Sequence, residues 1–461
     1  MAHRPIHKSK VEDVVGLTPM QEGMLYHYLR NPGDDQFFEQ FSYTLKSKLD
    51  LSAWMQAWNW IIRQNAMLRT VFRWEKIQNP VQIVLRERLI SASVHDLTFV
   101  GEDEKETALQ GIKQSDLAER FDLAEGPLFR TAVIKLEEEK YVMMVSHHHI
   151  IFDGWSNGII LGEFIQAYEA FRSSVVPEAA AKPDFKDYID WLREKDKHGP
   201  EQYWRSYLQG YEFRPTLRKD NVLHIEPSSK ACASLTLPKS LVHELEAVSQ
   251  EIGVTVSSIY TSAWGVLLQL YSKRSDVLFG TTVSGRSGDL REVERIVGML
   301  MNTIPVRIRA QSETTLKDII LDTQQAVYKR QEYETTPLVD IQSYSKRKST
   351  EELFDTLLVI ENYPLDFSIH GELQLTSFDG YSATNYSLLL AINPFEETTI
   401  HFIYDQQNYE ADTIELLQAR YVGLLKLITA NSECPVQHIE ALTEAEKKFH
   451  EVWNIDFNYE L

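Results

Sequence analysis

Cysteine is nearly missing from this chain: only Cys232 and Cys434 occur in 461 residues, far apart and without ligand-like spacing. That leaves no basis for a disulfide framework or a structural zinc site. Long apolar runs are missing too. None approaches the roughly 18 residues that a membrane-crossing helix needs, and the opening stretch Met1 to Lys10 has no apolar core of a secretory signal. Positive charge is in deficit, with 47 Lys and Arg against 67 Asp and Glu and a formal net charge of -20. A nucleic-acid partner, which needs a basic face, is therefore not expected. The excess of one sign suits a soluble cytoplasmic protein that avoids self-association; no membrane partner is expected, and as an excised domain the chain is expected to be a monomer. No GxGxxG or P-loop spelling follows any apolar strand, so the sequence supports no dinucleotide or ATP site.

What is present is an ordinary globular composition, 43% hydrophobic and 25% charged, on a chain too long for one core. Thr18 is placed to cap a first helix with Pro19 in its first turn. A second amphipathic helix is expected from Ser52 to Asn65, then a strand at Leu68 to Phe72. Leu128 to Leu136 and Tyr141 to Val145 read as a hairpin around the Glu137 to Lys140 turn. Further helices are expected at 240–251, ended by Gly253, and at 255–271. Strands are expected at 233–237, 277–283, 303–308, 355–360 and 400–404. The stretch from Ser173 to Asp184 has linker composition. Mixed elements on both sides of it predict an α/β protein of two sandwich lobes, 1–175 and 176–461.

The chemistry concentrates at Ser146 to Ser156, Ser-His-His-His-Ile-Ile-Phe-Asp-Gly-Trp-Ser. Here His148, His149, Asp153 and Gly154 spell HHxxxDG where an apolar strand gives way to an amphipathic helix. Two imidazoles, a carboxylate and a glycine in seven residues form a set suited to moving protons. On an extended segment neighbouring side chains face opposite ways, so His148 and His149 cannot both reach one reacting atom. Asp153 either orients an imidazole or pairs with an arginine to lock the loop, and Gly154 permits a tight turn or close approach of a substrate. His147 to His149 as a metal cluster is not expected, since adjacent histidines chelate poorly and no carboxylate-rich motif follows them. His147 and His148 read as core residues. Packing is the expected role of Trp191, Trp204, Tyr203 and Phe185.

With these motifs in order, the chain resembles a condensation domain of a nonribosomal peptide synthetase, a member of the HHxxxDG acyltransferase superfamily. Leu17 to Leu25 is similar to the family's first motif, and Leu68 to Phe72 matches the LRTxF end of the second. Phe121-Asp122-Leu123 with Pro127 to Arg130 resembles the segment before the hairpin. Phe185 to Trp191 with Tyr203-Trp204 resembles the fourth motif. Phe279 to Arg286 and Val297 to Thr303 resemble the fifth and its approach, and Glu361 to Pro364 a late segment. Gln64-Asn65 stand where the family often has Arg-His, which leaves Arg69 as the remaining candidate for that ionic role. Cyclising relatives replace the first motif histidine with aspartate, and this chain keeps His148.

The resemblance implies two chloramphenicol-acetyltransferase-like lobes in a V-shaped pseudo-dimer around a tunnel. It implies amide formation between a donor acyl or peptidyl thioester and the amine of an acceptor aminoacyl thioester. Both ride on phosphopantetheine arms of partner carrier domains, and the domain itself is expected to bind no cofactor. In the family the second motif histidine faces the tunnel, which selects His149 as the catalytic residue. It also favours a structural role for Asp153, and Trp155, Ser284 and Asn302 are candidates for the tunnel wall. Residues from about 440 to 461 resemble the linker toward an adenylation domain, so the chain reads as one domain of an antibiotic-type assembly line. Within the enzyme class the alternatives are epimerisation of a carrier-bound residue and acyl transfer to a free amine or alcohol. A non-catalytic docking domain is the other alternative.

Overall fold

The structure, a computed structural model, describes residues 5–30, 37–90, 92–179, 181–196, 198–214, 216–217, 219, 230–345, 352–361, 373–382, 386–394 and 397–439. The chain divides into two units. The first takes in Met1–Lys195, Gly288–Met301 and Tyr363–Asn385; the second takes in Asp196–Ser287, Asn302–Asn362 and Tyr386–Leu461. Residues 440–461, the expected linker, lie outside the described residues, as does the late segment beyond Glu361.

In the first unit a five-stranded sheet runs in the order Gln374–Ser382, Phe38–Lys46, Lys140–His148, Phe129–Glu137, Ser93–Asp96. Its hairpin, Phe129–Glu137 with Lys140–His148, is the one read from sequence, and the Glu-rich turn lies between its strands. The Phe38–Lys46 strand was not read from sequence. It pairs antiparallel with the motif strand, so that Phe38 faces His148 and Glu39 faces His147 across the ladder. The expected strand at 68–72 begins as a 3-10 turn, Ala66–Arg69, before Thr70–Arg73 extends.

Two helices cover the core behind the motif. Leu51–Gln64, capped by Asp50, buries Trp54, Trp58, Ile61 and Ile62. The motif helix, Gly154–Arg172, buries Ile160, Phe164 and Tyr168. Trp58 stacks on Phe164 at a ring distance of 4.3 Å and Trp54 meets it edge-on at 4.7 Å. Aromatic pairs of this kind add about 0.5–1.5 kcal/mol beyond their buried area. They fix the helix whose N-terminus carries Asp153.

The first unit continues past the expected division at 173–184. Asp184 caps the helix Phe185–Glu194 with a reciprocal capping box, and Phe185, Tyr188 and Ile189 are buried in the first core. The 173–184 stretch has a linker's composition, but the helix after it belongs to the first core. The segment Gly288–Met301 also joins that core, through Val293, Ile296, Val297, Met299 and Leu300.

The second unit holds a six-stranded sheet in the order Asn302–Arg309, Asp276–Val283, Thr356–Ile360, Leu388–Pro394, Thr398–Asp405, Lys230–Thr236. The Thr356–Ile360 strand pairs parallel to both of its neighbours. Helix Val256–Ser272 is capped by Thr255, and helix Lys239–Ile252 ends on Gly253 at φ 77°, as their sequences require. Trp204 is buried here as core, with Leu208, Leu278 and Ile304.

Candidate active site

The motif strand ends at His148, and the chain turns through His149 to Phe152 before the helix starts at Gly154. Strand alternation puts His147 and His149 on one side and His148 on the other. His148 is buried, and its Nδ1 accepts from the Ile150 amide at 3.1 Å. That fixes it as a neutral ring holding the turn, in keeping with the core role expected from sequence. Burial, followed by the imidazoles of His149 and His147, pushes it down to about 3.

His148 therefore takes a proton near pH 6.5 only in the unfolded chain, so it should destabilise the fold by about 1.4 kcal/mol per pH unit as pH falls from 6.5 toward 3. Urea denaturation of wild type and His148→Gln tests this. The wild type should lose ~2 kcal/mol more than the variant between pH 6.5 and 5, and equal slopes would refute the assignment.

His149 keeps 12% side-chain exposure. Its Nδ1 lies 3.0 Å from the Phe152 carbonyl oxygen. A carbonyl can only accept, so Nδ1 carries the proton and Nε2 is the basic nitrogen of the neutral ring. Sequence reasoning missed a buried carboxylate beside it. Glu39 Oε2 lies 3.1 Å from His149 Nδ1 and 3.1 Å from His147 Nε2. Neither approach meets hydrogen-bond geometry at Glu39 Oε2, so both are close electrostatic contacts. His147 is fully buried and stacks on the Phe152 ring at 3.8 Å.

Burial opposes charge on all three groups. For Glu39 it is outweighed by His149 and then His147, which hold the carboxyl well below its usual range. For His149 it is outweighed by Glu39, then Asp153 and the Phe152 carbonyl, and the ring is shifted up. For His147 it prevails, and the ring is shifted down. The ligand atoms of Glu39, His147 and His149 lie within 4.8 Å of one another, close enough to share a cation. The carboxylate's contacts with both rings account for the same closeness without one.

Asp153 is buried and caps the motif helix. Its Oδ1 accepts from the Ser156 amide at 2.9 Å and the Ser156 hydroxyl at 2.8 Å. Its Oδ2 accepts from the amides of Leu300 and Met301 at 3.1 and 3.0 Å. The carboxylate thus ties the motif to the returning segment 288–301. Arg69, the remaining candidate for the family's ionic role, is engaged elsewhere. It pairs with Glu12 at 2.6 Å and donates to the carbonyls of Ile62, Leu85 and Arg86. At the departure from the family's Arg-His, Asn65 donates to Glu163 of the motif helix at 3.1 Å and accepts from Lys182 at 2.9 Å.

Gly154 is the buried first residue of the helix. Trp155 donates its indole N–H to the Glu294 carbonyl at 3.0 Å, a second tie to the returning segment. Gly298 is a third. Its amide donates to the Ser156 hydroxyl at 3.1 Å, its carbonyl accepts from the Asp153 amide at 3.2 Å, and a Cβ there would overlap the Phe185 ring. Gly298→Ala should therefore cost about 1–3 kcal/mol through overpacking. Thermal melting should show the loss, and adding Phe185→Leu should recover part of it; an unshifted melt for Gly298→Ala would refute the contact. Ser284 and Asn302 lie in the second unit. Asn302 donates to the carbonyls of Glu334 and Thr336 at 2.8 and 2.6 Å. Ser284 receives Arg286 Nη1 on its carbonyl at 3.0 Å, so Arg286 anchors its own loop.

Strand, turn, histidines and capped helix thus assemble in one unit around the HHxxxDG motif. The condensation-domain family model matches residues 11–449, and the chain belongs to that family. It is 33% identical over 451 residues to a mycosubtilin synthase subunit of Bacillus subtilis, covering 96% of this chain and 17% of that relative. To tyrocidine synthase 2 of Brevibacillus parabrevis it is 32% identical over 450 residues, covering 95% of this chain and 12% of the relative. The chain therefore spans less than a fifth of the length of either. Its fold is similar to the starter condensation domain of rhizomide synthetase, with a TM-score of 0.79, 18% identity and coverage of 93% of this chain and 97% of that one. The mixed α/β fold expected from sequence is the condensation-domain fold.

Proposed function

We propose that this chain joins a donor acyl or peptidyl thioester to the amine of an acceptor aminoacyl thioester, forming an amide. A thioester is already activated, because its thiolate leaves with a pKa near 8.5, and an amine near pKa 8 is partly neutral at physiological pH. No covalent enzyme intermediate is needed. What remains is to hold amine against carbonyl, worth about 7–11 kcal/mol in well-aligned systems, and to take one proton as the bond forms. The observation that carries the reading is the Phe152 carbonyl at 3.0 Å from His149 Nδ1. It leaves Nε2 as the nitrogen that accepts the amine proton or orients the amine. Asp153 serves by holding the turn, and Trp155, Ser284 and Asn302 remain wall candidates.

The partners in this reading are an upstream donor carrier and a downstream acceptor carrier, whose phosphopantetheine arms bring the substrates, and a neighbouring adenylation domain. The relatives' length, several times that of this chain, supports such a multidomain setting. Among the described residues no helix is long and apolar enough to cross a membrane. The test is to mix donor-loaded and acceptor-loaded carriers with the protein and look for a dipeptidyl thioester by mass spectrometry. Product on the acceptor carrier, undiminished by a chelator, is expected. Epimerised donor without condensation, or no turnover, would overturn the reading.

A further inference from the structure

We propose that Glu39 is a positioning residue for His149, a carboxylate that holds the ring and balances the charge His149 gains when Nε2 takes the amine proton. The inference rests on the reading of His149 above. Four groups close a ring here. Glu39 Oε2 stands 3.1 Å from His149 Nδ1 and 3.1 Å from His147 Nε2. His147 stacks at 3.8 Å on Phe152, whose carbonyl lies 3.0 Å from the same His149 Nδ1. Each member fixes the next, so the His149 ring has little freedom to rotate away or exchange tautomers.

The placement is specific. Glu39 is 8% exposed and His147 fully buried, and a carboxylate is almost never buried without a partner. Ladder pairing of Glu39 with His147 sets the carboxylate beside the motif rather than leaving it to a flexible loop. Sites built on strands hold geometry more closely than sites on loops. Proton transfer conserves charge within the site: the amine loses H⁺ to Nε2, and the imidazolium forms against a carboxylate that stays ionised. The charged and titratable groups about His149 include Glu39, Asp153, His147 and His148, and Glu39 acts on it more strongly than Asp153.

The test is a double-mutant cycle on the intact protein with loaded carriers. Glu39→Gln keeps the shape and removes the charge. It should lower kcat about 10-fold or more, a share of the 10²–10⁴ that a positioned base supplies, with KM for either carrier nearly unchanged. Because Glu39 acts through His149, Glu39→Gln should add no further loss in a His149→Ala background. The same fractional loss in both backgrounds, or a Glu39→Gln variant at full kcat, overturns the proposal. A fully active His149→Ala would instead sink the functional reading itself, which keeps the two failures apart. If Glu39→Gln does not fold, Glu39→Asp, which keeps the charge but draws it back by one methylene, decides. A lowered kcat that adds no loss in the His149→Ala background supports the proposal, and full kcat or the same fractional loss in both backgrounds overturns it.

Discussion

His149→Ala should slow amide formation by about 10²–10⁴-fold, the range of a removed general base, while leaving the fold close to intact. The ring retains 12% side-chain exposure, and its polar contacts are with Phe152 and Glu39. When the ring is removed, Glu39 still has His147 Nε2 at 3.1 Å. A smaller loss, with KM for the acceptor raised, would mean that His149 orients the amine more than it accepts the proton. Product formation and thermal melts on the same preparation decide the matter. A fully active variant would remove His149 from the chemistry.

Asp153→Ala should behave in the opposite way, with stability lost first and activity lost as a result. The substitution removes a helix cap, worth about 0.5–2 kcal/mol. It also takes this acceptor from the Leu300 and Met301 amides. Buried donors left unmet cost about 1–3 kcal/mol each. Since the effects share one loop and do not add fully, a total of about 3–5 kcal/mol is expected. Asp153→Asn, which keeps an acceptor oxygen but loses the second, should fall between wild type and alanine. A stable but inactive Asp153→Ala would move Asp153 into the reaction.

Beside the arginine lock and the imidazole contact raised at the sequence level stands a further role for Asp153, a carboxylate on backbone amides. Arg69 folds onto Glu12 and three carbonyls, while the helix N-terminus at Gly154 and the 298–301 turn offer N–H groups to the carboxylate. Backbone donors leave no mark in a sequence, since every residue but proline has one.

Local periodicity and capping were legible residue by residue. Thr18 receives the Gln21 amide at 3.3 Å and Gln21 returns the contact to the Thr18 amide at 3.0 Å. Thr255 and Gly253 bound their helices as read, and the hairpin leading to the motif was evident from two apolar runs and a charged turn. The motif named its own residues, because strand alternation and a helix cap act within a few positions. The sequence did not reveal Phe38–Lys46 as the partner of the motif strand, nor that segment 288–301 returns to hold Asp153. Phe-Glu-Gln-Phe-Ser-Tyr lacks clean alternation, and Glu39 looks like a surface acid until the ladder sets it opposite His147. Which residues stand together in the motif is set by short-range pattern, while the choice of His149 among them rests on the family resemblance. Their charge and orientation come from groups far away in sequence, because burial and pairing are properties of the packed chain alone.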